Sequence, residues 1–316
     1  MGTQRPGRIR KASRELIAGY WAVSGRTVDF APQPLGRHID PEGLGGYYCD
    51  LRHKSRRTID GIPVDSFGEK DSWVIPIAQA ALGFWERRLD GEQVDREFLF
   101  LADWLLEHRE RDPRGSVWRI GIEIPKYGLA PGWISAMGQG QAISVLLRAH
   151  RLSGRDEYLE AARSALPALC TPVSEGGTQS SLDGHPVLEE YPTEPATAVL
   201  NGWIFALFGL HELALATADA QPRDLFERSA AGLVELLPRY DNGWWSLYSL
   251  HPAGPPDLAK PFYQRLHPVL LEALALPHPD PRLHAYAERW RGQCTRRGIA
   301  RASLDKVAFR LRRAVR

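Results

Sequence analysis

The segment Leu188-Glu189-Glu190-Tyr191-Pro192-Thr193-Glu194-Pro195, which runs directly into Ala196-Thr197-Ala198-Val199-Leu200-Asn201-Gly202-Trp203, is the part of the chain around which the rest is organised. Two adjacent carboxylates and a phenol precede a long apolar stretch. Each proline favours extended geometry in the residue before it and is excluded from a helix interior. We therefore expect Glu190 and Tyr191 on a stiff extended segment at the mouth of a helix, where reactive groups are often found. A solvated loop anchored by Tyr191 is the alternative that these residues leave open.

Two further motifs flank this segment. Gly132-Trp133-Ile134-Ser135-Ala136-Met137-Gly138-Gln139-Gly140-Gln141-Ala142-Ile143-Ser144 precedes it, and Tyr240-Asp241-Asn242-Gly243 running to Leu247-Tyr248 follows it. In this order the three motifs resemble the C-terminal catalytic domain of the D-glucuronyl C5-epimerases, enzymes that act on heparosan-type polysaccharide. The resemblance covers about residues 70 to 295, and it is specific because three separate motifs recur in order with similar spacing.

The composition indicates a soluble globular protein with one large or two small domains. The chain has 316 residues, of which 43% are hydrophobic and 25% charged. A formal charge of +2 gives no reason to expect a nucleic-acid partner. Three widely spaced cysteines without a Cys-x-x-Cys motif fit a reducing compartment and give no metal site. The basic N-terminus is not followed by an apolar run of signal-peptide length, so we expect a cytoplasmic protein.

From residue 73 onward, apolar spacing predicts four pairs of helices with strand-like inserts between the pairs. The predicted helices are 77–89 with 98–110, 134–152 with 157–169, 197–217 with 223–237, and 262–276 with 281–297. The inserts are an alternating stretch at Ile120, Ile122 and Ile124, a hairpin turning at Leu182-Asp183-Gly184, and a strand over 244–248. The apolar stretch 196–218 is long enough to span a bilayer, but Asn201, His211 and Glu212 interrupt it and favour a buried helix.

Helical hairpins joined by short turns imply antiparallel neighbours. We expect an all-α dominated fold, specifically an α/α toroid: an incomplete barrel of helical hairpins whose short β-hairpin inserts roof a cleft at one end. This arrangement also resembles the epimerase domain, and an open α-solenoid is the alternative that the same pattern permits. The predicted divisions are an N-terminal wrapping segment with short strands (1–70), the toroid (71–298) and a basic amphipathic C-terminal helix (299–316).

The two ends of the chain carry predictions of their own. In the wrapping segment, Ile59-Asp60-Gly61-Ile62 predicts a hairpin, while Tyr47 and Tyr48 fit either sugar stacking or packing on the main domain. Between 289 and 316, ten basic residues accompany the single acidic Asp305. Apolar residues at helical spacing over 299–315 predict an amphipathic helix. It fits either a cap docked on the toroid or peripheral contact with the inner face of an anionic membrane.

Epimerising a uronate at C5 sets clear chemical demands. The proton at C5 is weakly acidic because the adjacent carboxylate already carries charge. An enzyme must therefore neutralise that carboxylate and place acid and base groups on opposite faces of the ring. Tyrosine suits this role when its neighbours perturb its pKa, and glutamate can serve as partner base. The reaction needs no dissociable cofactor.

The resemblance implies which residues carry this chemistry. The family's Glu-Tyr-Pro motif matches Glu190 and Tyr191, its hairpin tyrosine matches Tyr248, and the asparagine after its Val-Leu matches Asn201. A third family tyrosine falls on Tyr263, in a segment where only that tyrosine and His267 match. We therefore predict Tyr191 and Tyr263 as acid and base on opposite faces, with Glu190 and Tyr248 activating one of them or holding the carboxylate.

A second group of residues consists of candidates for binding the polysaccharide through amides, rings or positive charge. This group comprises Asn201, Gln139, Gln141, Trp244, Trp245, His251, Arg265, His267 and Tyr127. For two members the sequence offers a simpler role: the glycines beside Gln139 and Gln141 also suit close helix packing, without the strand-then-loop context of a phosphate site. Strand alternation would bury one of the two tryptophans.

Departures from the family pattern bear on the substrate. His251 stands where the family has an arginine, and the N-terminal β-rich domain of the animal enzymes is not expected in a chain of this length. A polysaccharide lyase on the same scaffold would form the same carbanion but expel the C4 oxygen. A non-catalytic glycan-binding or assembly protein is the third possibility, and His251 is its main support.

Overall fold

Helices dominate the structure, a computed structural model that describes residues 33–65, 69–252 and 255–314, with side chains as far as residue 305. The all-α dominated class is therefore confirmed for this part of the chain. Its α-helices are α1 (Val74–Leu89), α2 (Asp95–Glu107), α3 (Ala136–Ser153), α4 (Asp156–Ser164), α5 (Leu166–Cys170), α6 (Leu200–Thr217), α7 (Ala220–Leu236), α8 (Pro261–Leu274), α9 (Pro281–Gln293) and α10 (Arg296–Ala314).

The helices pack as the predicted pairs. Helix α1 contacts α2, α3 contacts α4, α6 contacts α7, and α8 contacts α9. The first members of the pairs also contact one another in chain order, α1 with α3, α3 with α6, and α6 with α8, so they form one layer. One predicted helix, 157–169, is wrong in extent. It is split into α4 and α5 because Pro167 cannot continue a helix but suits the first turn of a new one.

Helix α6 lies in the middle of this layer, and its apolar composition follows from that position. By length and composition it could span a membrane, but 78% of it is buried by neighbouring elements, as predicted for a core helix. Glycines let α3 approach it closely. A Cβ on Gly140 would lie 2.7 Å from the Cα atom of Ala206, and a Cβ on Gly209 would lie 2.3 Å from the carbonyl oxygen of Gly140. The Gly-rich motif therefore serves helix packing.

Short strands form antiparallel two-stranded hairpins between the helices. The strands of the described chain are β1 (Thr58–Ile59), β2 (Ile62–Pro63), β3 (Glu110–Asp112), β4 (Gly115–Val117), β5 (Arg119–Ile120), β6 (Trp133–Ile134), β7 (Gln179–Leu182), β8 (His185–Leu188), β9 (Leu247–Ser249) and β10 (Asp257–Leu258), paired 1–2, 3–4, 5–6, 7–8 and 9–10.

The predicted hairpin turns are confirmed where the turn residues specify them. In the β1–β2 hairpin, Asp60 and Gly61 both have positive φ, of 51° and 77°, and the β7–β8 hairpin likewise turns at Asp183 and Gly184. The alternation at residues 120–124 predicts a longer strand than the structure contains. Strand β5 ends at Ile120, and Ile122 is 48% exposed. Residues 244–246 likewise precede β9 instead of belonging to it.

The wrapping segment inserts two tyrosines into the helical core. Tyr47 is 0% and Tyr48 2% exposed, and the Tyr48 ring stacks on Phe208 with centroids 3.9 Å apart. The guanidinium of Arg148, in α3, donates to the backbone carbonyls of residues 45 and 46 and forms a bidentate ion pair with Glu212 of α6. Packing on the main domain is thus the correct interpretation of both tyrosines, and sugar stacking is wrong because neither ring reaches solvent.

Candidate active site

The first residue after strand β8, Glu189, fastens the proline-rich segment to two helices. Its carboxylate accepts hydrogen bonds from the backbone N–H groups of Thr197, at 3.2 Å, and Ala198, at 3.1 Å, and from the Thr197 hydroxyl. Its own carbonyl accepts from the N–H of Ala136 at the start of α3. Burial raises the pKa of Glu189 to about 7, although these hydrogen bonds oppose the shift. Glu189 therefore acts as a structural clamp.

The clamp holds a residue with unfavourable backbone geometry. Ala198 has a φ of +44°, in the left-handed region that residues with a Cβ rarely adopt. Its N–H donates to Glu189, and its carbonyl accepts from the Tyr240 hydroxyl at 2.6 Å. A backbone strained by roughly 1 to 3 kcal/mol persists only where its surroundings determine it, and such positions cluster at functional sites.

The second carboxylate, Glu190, faces a different group of residues. It is 6% exposed, and it accepts from the amide of Asn201 at 3.2 Å and from the Tyr248 hydroxyl at 3.4 Å. Burial raises the pKa of Glu190 to about 7, opposed by hydrogen bonds from Tyr191, Tyr248 and Asn201 and by the charge of Lys126. This carboxyl can therefore hold or release a proton near neutral pH.

Gly202 makes room for Glu190 on the first turn of α6. A Cβ at this position would lie 2.4 Å from both the Cβ and Oε2 atoms of Glu190. Gly202 belongs to the segment that opens the sequence analysis, but the sequence alone gives no reason for a glycine at this position. That reason appears only when the preceding segment folds back over the helix.

Three phenols gather around Glu190. The rings of Tyr248 and Tyr263 have centroids 4.7 Å apart. Tyr191 stacks on Tyr127 at 4.8 Å. Burial and then the negative charge of Glu190 raise the pKa of Tyr191, Tyr248 and Tyr263, and hydrogen bonds of Tyr191 and Tyr263 with Tyr248 oppose the shift. The phenols are thus neutral proton donors at physiological pH. The structure brings together the four residues predicted to be catalytic.

Positive charge reaches this cluster from a residue that the sequence analysis missed. The Lys126 ammonium lies 2.6 Å from the Tyr127 hydroxyl and 5.6 Å from the centroid of the Tyr248 ring, and it pairs with Asp257. The predicted His251 is also nearby, with its ring 5.8 Å from that of Tyr127. Nothing in the sequence around Lys126 marks it, because the fold alone brings residues 126 and 257 together.

Three predicted binding residues serve the framework instead. The Gln139 amide accepts from the N–H of Trp118 at 3.1 Å and donates to the Ser116 carbonyl at 2.9 Å, so it joins α3 to the β4 strand. Gln141 is fully buried beside Tyr47. His267 is also fully buried, with Nδ1 2.9 Å from the Ser246 hydroxyl, and burial lowers its pKa to about 3. It is a neutral core histidine at physiological pH.

The remaining three predicted residues lie at the C-terminal end of the molecule. Trp245 is fully buried in a small core with Ile299 and Ala302 of α10. The Arg301 guanidinium stacks on the face of the Trp244 ring, with its Cζ atom 3.8 Å from the ring centroid. Trp245 is therefore the one tryptophan of the pair that was expected to be buried, and sugar stacking stays a prediction for Trp244 alone. Arg265, a candidate for binding through positive charge, instead contacts Cys294.

Known proteins resemble this chain over the same region. Residues 111–292 match the family described as D-glucuronyl C5-epimerase C-terminus. A D-glucuronyl C5-epimerase of Caenorhabditis elegans is 34% identical over 220 residues, which cover 64% of this chain and 35% of the relative. An uncharacterised protein of Methanocaldococcus jannaschii is 27% identical over 214 residues, covering 64% of this chain and 68% of the relative. The chain thus spans about a third of the length of the C. elegans relative.

Proposed function

Because the chain belongs to the family of D-glucuronyl C5-epimerase C-terminal domains, we propose that it is an isomerase that inverts C5 of a glucuronate residue within a polysaccharide. The observation that carries the proposal is the buried Glu190, with a pKa of about 7, surrounded by neutral phenols. That combination supplies one group able to take a proton and others able to give one. The polysaccharide itself is part of the proposal, since the chain spans about a third of its C. elegans relative.

In the first step a base removes the C5 proton. The electron pair of the broken C–H bond moves into the C6 carboxylate and forms an enediolate. Efficient bases have a pKa near the working pH, and ionised Glu190 satisfies this condition better than tyrosines whose pKa is raised. We therefore assign the base to Glu190, which acts through the Tyr191 hydroxyl that hydrogen-bonds to it. This revises the expectation that two tyrosines serve both faces.

In the second step a phenol on the opposite face protonates C5. Tyr263 and Tyr248 fit this role because both are neutral and their rings are in contact. Hydrogen bonding links Tyr263 to Tyr248 and Tyr248 to Glu190, so the proton taken at one end can restore the phenol at the other. The balance over one turnover is one proton removed and one proton returned, with no cofactor consumed.

We also propose the α/α toroid as the finer architecture of residues 71–298. Its support is that α1, α3, α6 and α8 contact one another in chain order while their partners pack behind them. A crystal structure in which α8 returns towards α1 around a central axis would support the toroid. An extended row of hairpins would support the open α-solenoid instead.

Exchange at C5 tests the reaction directly. The protein is incubated with glucuronate-containing polysaccharides in deuterated water, and the products are examined by NMR. Deuterium at C5 together with iduronate supports epimerisation. Unsaturated ends that absorb ultraviolet light would indicate a lyase, and binding without exchange would indicate a glycan-binding protein.

A further inference from the structure

Lys126 lies where two separate inserts meet. It belongs to the turn between β5 and β6, in which Ile124 and Leu129 form an isolated bridge. Its ammonium is 2.5 Å from Oδ2 of Asp257, which belongs to the β9–β10 hairpin 131 positions further along the chain. The Ser249 hydroxyl donates to the same Asp257 oxygen at 3.2 Å. One ion pair therefore joins both inserts beside the cluster around Glu190.

The ammonium is held by aromatic groups of that cluster. Its nitrogen lies 2.6 Å from the Tyr127 hydroxyl, 4.4 Å from the centroid of the Tyr127 ring and 5.6 Å from that of Tyr248. Tyr127 in turn stacks on Tyr191, and the Tyr248 hydroxyl reaches Glu190. The cation thus contacts Tyr127 and Tyr248, each of which contacts a member of the cluster around Glu190.

The other predicted cations are placed less favourably for an anionic substrate. Arg265 interacts with Cys294, and His267 is buried against Ser246 and Trp290. The ring of His251 lies 5.8 Å from that of Tyr127. Among the residues that the structure describes around this cluster, Lys126 offers an ammonium group on a flexible stem.

We propose that Lys126 binds the substrate's uronate carboxylate, and that Asp257 occupies the carboxylate position in the resting protein. This inference rests on the proposed function. On binding, the uronate oxygens replace Asp257 at the ammonium, and Asp257 keeps the Ser249 hydroxyl as a donor. The charge of the bound carboxylate grows when C5 loses its proton, so Lys126 stabilises the enediolate more than the ground state.

A comparison of two variants separates this role from a structural one. If the ion pair merely joins the inserts, Lys126→Gln and Asp257→Asn break the same contact and should have the same effect. If Lys126 binds the carboxylate, Lys126→Gln removes the receptor whereas Asp257→Asn removes its competitor. Lys126→Arg keeps the charge and should rescue most of the loss.

The experiment measures kcat and KM for C5 exchange with a glucuronate polysaccharide that the wild type turns over. We expect Lys126→Gln to lower kcat/KM by at least about 100-fold and Asp257→Asn to leave KM unchanged or lower it. Lys70→Gln, which removes an exposed lysine paired with Asp60, is the matched control and should match the wild type. Equal losses in Lys126→Gln and Asp257→Asn, with unchanged melting temperatures, would overturn the proposal.

A binding measurement keeps the test independent of turnover. Wild type should bind the glucuronate polymer about ten-fold more tightly than the same polymer with its carboxyl groups reduced, and Lys126→Gln should lose that preference. If Lys126→Gln loses the preference but the wild type never exchanges C5, the epimerase proposal fails while the role of Lys126 in recognition stands. If Lys126→Gln keeps the preference, the role of Lys126 is wrong.

Discussion

Glu189 and Glu190 are identical neighbours in the chain with different tasks. Both are buried, and burial raises the pKa of each to about 7. The oxygens of Glu189 accept from backbone N–H groups of its own segment, whereas those of Glu190 accept from Asn201 and Tyr248. The family motif assigned Glu190 to the site, but the residues themselves do not show that Glu189 is the clamp. That assignment depends on successive side chains of an extended segment pointing to opposite sides.

At Tyr191, we predict that substitution with phenylalanine abolishes C5 exchange without unfolding the protein. The change removes only the hydroxyl and keeps the ring contacts with Tyr127 and Trp133, so the unfolding free energy should fall by about 1 kcal/mol or less. Exchange is followed by NMR and stability by urea unfolding. Tyr286→Phe, at a half-buried ring packed on Trp290, is the control. Normal exchange by the Tyr191 variant would remove this residue from the mechanism.

Burial of Glu190 also predicts how stability depends on pH. Its pKa is about 4.5 in the unfolded chain and about 7 in the folded one, so the folded state binds the proton more tightly. The stabilisation is complete below pH 4.5 and is lost as the pH rises to 7. At about 1.4 kcal/mol per pKa unit, the loss is on the order of 3 kcal/mol.

Glu190→Gln tests this dependence because glutamine does not titrate. Relative to the wild type, the variant should gain stability between pH 5 and pH 8, measured by urea unfolding at both values. Glu189 titrates in both proteins and cancels in the difference. Parallel pH dependence of wild type and variant would show that the Glu190 pKa is not raised.

At the scale of elements, the sequence correctly predicted the turns and helices that local residue chemistry determines. Asp-Gly pairs predicted two hairpin turns, and apolar spacing predicted the helix pairs. The alternation at 120–124 failed because a strand also needs a continuous partner. Pairing with Trp133–Ile134 ends at Ile120, and beyond it Ile124 forms a single isolated bridge with Leu129. Gln139 looked like a cleft residue because an amide beside glycines suits both ligand binding and packing. Its strand partners at residues 116 and 118 decide between the two.

The junction between the proline-rich segment and α6 requires a glycine at position 202. We predict that Gly202→Ala displaces the Glu190 carboxylate, because the new Cβ would lie 2.4 Å from it. C5 exchange should fall at least about 100-fold, as expected when a catalytic group is misplaced by about 1 Å. Gly292→Ala, on helix α9 with nothing within 4 Å of the new Cβ, is the matched control. Alanine there should stabilise the protein by up to about 1 kcal/mol. Full activity of Gly202→Ala would mean that Glu190 does not need its observed position.

At the scale of the whole molecule, distant inserts combine to form one site. Glu190 and Tyr191 follow β8, Tyr248 lies in β9, Tyr263 in α8 and Lys126 between β5 and β6. The sequence resemblance supplied the first four because they belong to recognisable motifs. The resemblance did not identify Lys126 and Asp257, because their pairing depends on a tertiary contact between segments 131 positions apart.

The basic C-terminal helix yields a prediction about location. Helix α10 begins at Arg296, and its first turns pack on Trp245, which supports a capping role there. Side chains beyond residue 305 lie outside the described part, so membrane contact by Arg310, Arg312 and Arg313 remains a proposal. Full-length protein should co-sediment with anionic vesicles at low salt, and a variant with glutamine at these three positions should lose that binding. Equal sedimentation of both proteins would leave the helix as a cap only.

The most direct test of the central claim, that the Glu190 cluster inverts C5, is to approach equilibrium from both sides. Wild-type protein is incubated in deuterated water with a glucuronate polymer and, separately, with its iduronate isomer, and NMR follows C5. We predict that both reactions incorporate deuterium and converge on one ratio of the two uronates, and that Glu190→Gln does neither. Absence of deuterium at C5 in both wild-type reactions, with bound polymer present, would contradict the account.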